Sequence, residues 1–178
     1  MAMTLLLGGA ASGKSRGAAA LAAKTGLGVT VIATAEALDD EMTARIDRHR
    51  RERPETWTVL EEPLDLLAAV ERAEGATIVD CLTLWVSNLL GADVADDEIF
   101  ARAEAAAKAC AARSQPTIVV SNEVGSGIVP MHPVTRRYRD VLGRVNAIFA
   151  DDAATVALMV AGRAMRLSTK LTDLEEPS

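Results

Sequence analysis

Two short stretches hold the residue types from which phosphate chemistry is built. The first is GGAASGKS, Gly8 to Ser15, which fits the spacing G-x-x-x-x-G-K-[ST]. Glycine at Gly8 and Gly13 lets the backbone turn its N–H groups inward around an anion. A helix beginning near Lys14 aims its positive N-terminus at the same anion. Gly9, Ala10, Ala11 and Ser12 complete the loop. Lys14 has the reach for β- and γ-phosphates, and Ser15 offers a hydroxyl to Mg²⁺. The pattern predicts nucleoside triphosphate binding, with Lys14 as a catalytic group.

The second stretch is ARIDRHRRERP, residues 44–54, which contains His49, one of two histidines in the chain. From Arg45 to Arg53 five arginines face only Asp47 and Glu52, a local excess of three positive charges in a chain of net charge -6. Guanidinium groups around an imidazole favour its neutral form, which is the form that attacks phosphorus. The same arginines can neutralise an α-phosphate and a departing pyrophosphate. On a helix, Met42, Ile46, His49 and Arg53 share a face. The spacing then predicts that Met42 and Ile46 anchor this face while His49 and Arg53 emerge at the nucleotide. Spacing alone leaves open a solvated basic helix with an incidental histidine. The other histidine, His132, lies between Pro130 and Pro133 and reads as a turn residue.

Three further stretches carry polar groups beside apolar runs. ATIVDC ends an apolar strand in Asp80, the arrangement of an acid that holds Mg²⁺ directly or through water, or of a cap on the helix that follows. SNEVGSGIVP follows a predicted strand, at the sheet edge where α/β proteins place ligands. There Asn122 and Glu123 either orient a water, a metal ion or a substrate arm, or bond the amides of their own loop. In RRYRDVLGRVN, Arg136, Arg137 and Arg144 either reach across a subunit boundary or line a solvated face.

These groups need a frame, and the hydrophobic pattern supplies one. Apolar runs at 4–9, 29–34, 77–81, 117–122 and 155–162 read as strands covered on both faces, with a shorter edge-like strand at 57–62. Helical segments lie between them at 14–24, 39–53, 63–74, 96–113 and 133–150, and LTLWVSNLL forms a helix after Asp80. Asp39 opens one and Pro54 stops it; Pro63 sits in the first turn of the next. Strand–helix alternation predicts an α/β fold, a mostly parallel sheet flanked by helices. The run at 29–34 lies between the loop strand and the Asp80 strand in sequence. That allows an inserted strand in the sheet, as in RecA-like P-loop NTPases. One domain over 1–168 and a frayed polar tail over 169–178 are expected.

Composition excludes several classes. The 178 residues are 49% apolar and only 3% aromatic, so the core must be aliphatic. The negative charge argues against a general nucleic-acid binder. Cys81 and Cys110 with two distant histidines write no zinc pattern. No apolar run is long enough for a membrane span, the start lacks a signal-peptide pattern, and a cytoplasmic location is the expectation.

Taken together, GGAASGKS, IATAEALDDEMTARIDRHRRERPETWTVLEEP, VDCLTLWVSNLL, SNEVGSGIVP and RRYRDVLGRVN resemble one family. It is the bifunctional adenosylcobinamide kinase / adenosylcobinamide-phosphate guanylyltransferase family of cobalamin biosynthesis, a P-loop, RecA-like family. The matches run in order from about residue 4 to 162. The resemblance implies phosphorylation of the aminopropanol hydroxyl of adenosylcobinamide, then transfer of GMP from GTP to the product through a guanylylated histidine. His49 stands at that position. It further implies nucleotide contacts at the phosphate loop, at Ala33, Thr34 and Ala35, at Arg50, Arg51, Glu52 and Arg53, and at Glu61 and Asp80. Ser15 and Asp80 are the implied Mg²⁺ contacts, ATP and GTP the implied nucleotides, and a homotrimer the implied assembly. Ala11 departs from the pattern, since many members carry arginine there, and AGRAMRLS has no close counterpart.

Two other readings use the same loop. A simple P-loop small-molecule kinase would need Lys14, Ser15 and Asp80 but not His49. A GTP switch would carry N-K-x-D after a strand, where this chain has SNEVG.

Overall fold

The computed structural model of the chain describes residues 3–37, 40–51 and 53–167. The proposed tail, the proposed helix start at Asp39 and Glu52 lie outside the described residues. In chain order the elements are β1 (Met3–Gly8), α1 (Lys14–Ala23), β2 (Val29–Ala33), α2 (Asp40–Arg51), β3 (Thr58–Glu61), α3 (Leu66–Arg72) and β4 (Ala76–Asp80). Then follow α4 (Leu82–Gly91), α5 (Asp96–Ala112), β5 (Thr117–Val120), α6 (Pro133–Asp152), β6 (Thr155–Val160) and β7 (Arg163–Leu167).

The strands form one seven-stranded sheet in the order β3-β2-β4-β5-β1-β6-β7. Every pairing is parallel except β6 with β7. The expected inserted strand is present, and it is β5: it lies between β1 and β4, whereas β2 sits on the far side of β4.

Successive strand side chains point to opposite faces, and here both faces are covered. Leu5, Ile32, Val79 and Val119 join the cluster built with Leu66, Trp85, Ile99 and Phe149 of α3 to α6. Their neighbours Leu6, Val31, Ile78 and Ile118 join Ala18 and Ala22 of α1 on the other side. This is why the strand runs are apolar at consecutive positions rather than alternating. Small residues on α5, Ala103, Ala106 and Ala107, are wholly buried in the first cluster.

Two boundaries differ from expectation. The helix predicted from Pro63 begins at Leu66, because Asp65 is its N-cap and accepts a bond from the Ala68 N–H at 3.1 Å. The chain end of the sheet holds a strand, β7, that was not expected. Ala161 and Gly162 both take positive φ, 49° and 74°, which makes the two-residue turn that reverses a strand tightly. All five β7 residues are exposed, so no buried apolar face marks it in the sequence.

Gly75 is held by a close approach. Its φ is 66°, and a Cβ there would lie 2.0 Å from the Gly28 carbonyl oxygen, which already accepts from the Ala76 N–H. Gly75→Ala combines left-handed strain with a backbone clash and is expected to destabilise by about 2 kcal/mol or more. Urea unfolding checks this; an unchanged midpoint would contradict it.

Candidate active site

The sheet delivers its parallel strands to a common edge. Gly8, Ala33, Glu61, Asp80 and Val120 are the last residues of β1, β2, β3, β4 and β5. A cavity of about 620 Å³ opens there, walled by the loop after β1, the ends of β2 to β5 and helix α2. Ligand sites of α/β sheets lie at this carboxyl edge.

The loop is built as its glycines require. Gly8 has no room for a side chain, since a Cβ would fall 2.4 Å from the Met159 carbonyl oxygen at the end of β6. Gly13, at φ 96°, is the N-cap of α1 and leaves that helix without a side-chain cap. The first-turn N–H groups of α1 are thereby presented as an anion cradle. Ala11 also takes a positive φ, 54°. Lys14 is only 7% exposed, and its ammonium donates to the carbonyls of Gly8 and Gly9, each at 2.7 Å. The Gly162 N–H donates to the Ser12 carbonyl at 2.9 Å, which ties the β6–β7 turn to the loop.

Opposite partners meet at Asp80. Arg53 donates to its Oδ2 at 3.0 Å, and His49 Nδ1 lies 3.9 Å from the same oxygen. The second distance is an electrostatic separation rather than a hydrogen bond. Burial pushes the Asp80 carboxyl up, but the facing His49 and Arg53 outweigh it and hold the carboxyl below its ordinary value. A carboxyl held below its unfolded value of about 3.9 stabilises the fold above that pH. That contribution is lost as pH falls through the lower folded value. Wild type and Asp80→Asn are therefore expected to differ by about 1–3 kcal/mol at pH 7. The gap should narrow below about pH 4. Urea titrations at stepped pH check it; a gap undiminished at about pH 3 would contradict it.

The expectation for the basic helix set only the local Asp47 and Glu52 against its arginines. The structure adds carboxylates from the strand ends: Arg50 is paired with Glu61 as well as with Asp47, and Arg53 with Asp80. Met42, Ile46 and His49 are the half-buried residues of α2 among its described side chains, as the shared face predicts. The helix ends at Arg51, and Arg53 reaches the cavity from the following turn, its N–H bonded to the Arg50 carbonyl at 3.3 Å.

Of the residues expected at the site, Ala10 to Ser15, Ala33, Ala35, His49, Arg50, Arg53, Glu61 and Asp80 wall this cavity. Gly8 and Gly9 support the loop from beneath through their bonds to Lys14. Arg51 is exposed and lies off the wall. Thr34 is fully buried instead; its hydroxyl donates to the Cys81 carbonyl and accepts from the Cys81 N–H, joining the ends of β2 and β4. Asn122 lines the cavity, but Glu123 accepts bonds from the Gly125 and Ser126 amides, so it shapes its own loop. Arg136 and Arg137 are tied within the chain, to the carbonyls of Pro130 and Met131 and to Asp96. His132 is the N-cap residue of α6 and makes no side-chain cap bond.

Arg48, one of the five arginines of the basic stretch, lines the cavity as well; Arg16, Cys81, Thr83 and Leu84 also line it, and no expectation included those four. Arg16 follows the loop motif directly, so its adjacency was the available signal. Among the described residues no cluster of three or more His, Cys, Asp or Glu is placed to hold a metal ion. Ser15 and Asp80 are hard oxygen donors on the wall, which suits Mg²⁺ that arrives with substrate phosphates.

A parallel sheet with a phosphate loop after β1, an acid at the end of β4 and β5 inserted between them is a RecA-like P-loop nucleotide-binding fold. Among solved structures, the Pyrococcus horikoshii OT3 protein PH0250 matches 97% of this chain and 89% of its own at TM-score 0.57, with 9% identity. That likeness concerns fold alone. Residues 4–167 match the sequence model of the family described as cobinamide kinase / cobinamide phosphate guanyltransferase. The bifunctional adenosylcobalamin biosynthesis protein CobP of Pseudomonas aeruginosa is 46% identical over 169 residues, covering 92% of this chain and 95% of its own length. The corresponding CobU of Escherichia coli K12 is 40% identical over 93% of this chain and 99% of its length. The chain belongs to the cobinamide kinase / cobinamide phosphate guanyltransferase family and is an enzyme of that class. Among the described residues no helix is long and apolar enough to cross a membrane.

Proposed function

We propose that one cavity serves two transfers: phosphorylation of adenosylcobinamide, then guanylylation of the product through a covalent histidine. The observation that carries this reading is that His49 and the phosphate loop wall the same cavity. In the first transfer, Lys14 neutralises the β- and γ-phosphates of ATP or GTP while the aminopropanol hydroxyl oxygen attacks the γ-phosphorus. The new O–P bond forms as the β–γ bridging P–O bond breaks, the nucleoside diphosphate leaves with the electron pair, and the hydroxyl proton passes to solvent. In the second, an imidazole nitrogen of His49 attacks the α-phosphorus of GTP. A P–N bond forms, the α–β bridging P–O bond breaks, and pyrophosphate leaves with the electron pair. A phosphate oxygen of adenosylcobinamide phosphate then attacks the same phosphorus. The P–N bond breaks, a P–O–P link forms, and His49 recovers its lone pair.

Asp80 faces Nδ1, which favours the proton on that nitrogen and leaves the Nε2 lone pair for attack. Ser15 and Asp80 are the residues that would hold Mg²⁺, whose charge offsets that of the phosphates. The resemblance also carries a homotrimer and a cytoplasmic location with this reading.

Labelling tests it. The pure protein is incubated with Mg²⁺ and GTP labelled at the α- or the γ-phosphate, then denatured. Acid-labile, base-stable α-label, released by adenosylcobinamide phosphate, is expected. Nucleotide binding without α-label would overturn the covalent step and leave a plain kinase.

A further inference from the structure

The arginines of the cavity differ in what already neutralises them. Arg53 faces Asp80, and Arg50 faces Asp47 and Glu61. Arg16 and Arg48 also line the cavity, yet neither makes an ion pair among the described residues. Arg48 rides on α2. Arg16 stands in the first turn of α1, one residue beyond Ser15, and folds back over the phosphate loop. A Cβ added to Gly13 would meet its Nη2 at 3.8 Å, and one added to Gly162 would meet it at 3.0 Å. The guanidinium thus sits in the corner between the loop and the β6–β7 turn, and glycine at 162 leaves it that space.

We propose that Arg16 is a catalytic residue of guanylyl transfer, contacting the α-phosphate and holding the charge that develops there as His49 attacks. This rests on His49 being the nucleophile. The order of groups along a bound triphosphate carries the assignment. Lys14 takes the β- and γ-phosphates, and the α-phosphate lies towards the first helical turn. Arg16 is the cation that turn presents. An unpaired guanidinium offers its full charge to equatorial oxygens at the α-phosphorus, whereas Arg50 and Arg53 are already offset by carboxylates. In the kinase step charge develops at the γ-phosphorus, on the far side of Lys14. Arg16 therefore contributes more to one reaction than to the other.

The test compares Arg16→Ala and Arg16→Lys with wild type in three assays: single-turnover α-label formation from GTP, phosphorylation of adenosylcobinamide, and thermal unfolding. For Arg16→Ala, α-label formation is expected to slow by about 100-fold or more. Phosphorylation should stay within about tenfold and the unfolding midpoint should hold. Arg16→Lys should fall between, since it keeps charge but loses the planar fork. α-Labelling by Arg16→Ala at the wild-type rate overturns the inference, as does an equal loss of both reactions. Absence of α-label on wild type itself would remove the histidine reading first, before any variant is compared.

Discussion

His49→Ala loses guanylyl transfer by on the order of 10³-fold or more while phosphorylation of adenosylcobinamide persists within about tenfold. The asymmetry follows from what the substitution leaves behind. Arg53 still donates to Asp80, and Arg50 still pairs with Glu61, so the acid at the end of β4 and the anchoring of α2 to β3 survive. Lys14 and the loop belong to a different wall, held by Gly8, Gly9 and the Ser12–Gly162 bond. Nothing that positions the γ-phosphate is touched. The check is a pair of assays on one preparation: α-label retained on denatured protein, and γ-label transferred to the corrinoid. Equal α-labelling by the variant would return His49 to the ordinary residues of a basic helix. A parallel collapse of both reactions would mean that His49 holds the cavity together rather than reacting.

What could be read without the structure was local. The loop motif specifies its own strand, turn and helix, because glycine geometry and helix polarity act within a few residues. The two-sided apolar runs likewise specified a covered parallel sheet. What could not be read was whatever depends on partners distant in sequence. Asp80 and Arg53 are 27 positions apart, and nothing near either indicates that they and His49 share one carboxylate oxygen. Thr34 sits beside Ala33 and Ala35 at a strand end, yet its hydroxyl turns inward to Cys81, 47 positions away. Glu123 shows the reverse case: its bonds lie two and three residues ahead, and the alternative of a self-capping loop was already visible in SNEVGS. β7 was missed because an exposed edge strand has no buried face to imprint a period on its residues.

Lys14→Ala is expected to disable both reactions, and this separates the loop from the histidine. The ammonium of Lys14 lies between the carbonyls of Gly8 and Gly9, with Ser12 Oγ at 3.4 Å. It fastens the loop to itself, and in the proposed reading it has a second duty, to meet the β- and γ-phosphates. Loss of a cation aimed at a transferring phosphoryl group costs on the order of 10²–10³-fold in rate. In the proposed reading both transfers use a triphosphate seated on this one loop, so guanylyl transfer falls with phosphorylation. The Gly8 carbonyl loses its donor in a buried place, at about 1–3 kcal/mol, while exposed Gly9 can turn to water, so the variant should remain folded. Lys14→Arg is not expected to rescue it. The side chain is 7% exposed with two contacts at 2.7 Å, and a planar guanidinium cannot take the place of a compact ammonium there. Titration with a fluorescent GTP analogue and the two transfer assays would measure this. Phosphorylation by Lys14→Ala within about tenfold of wild type would mean that the backbone cradle and α1 alone hold the triphosphate, with the ammonium serving the loop only.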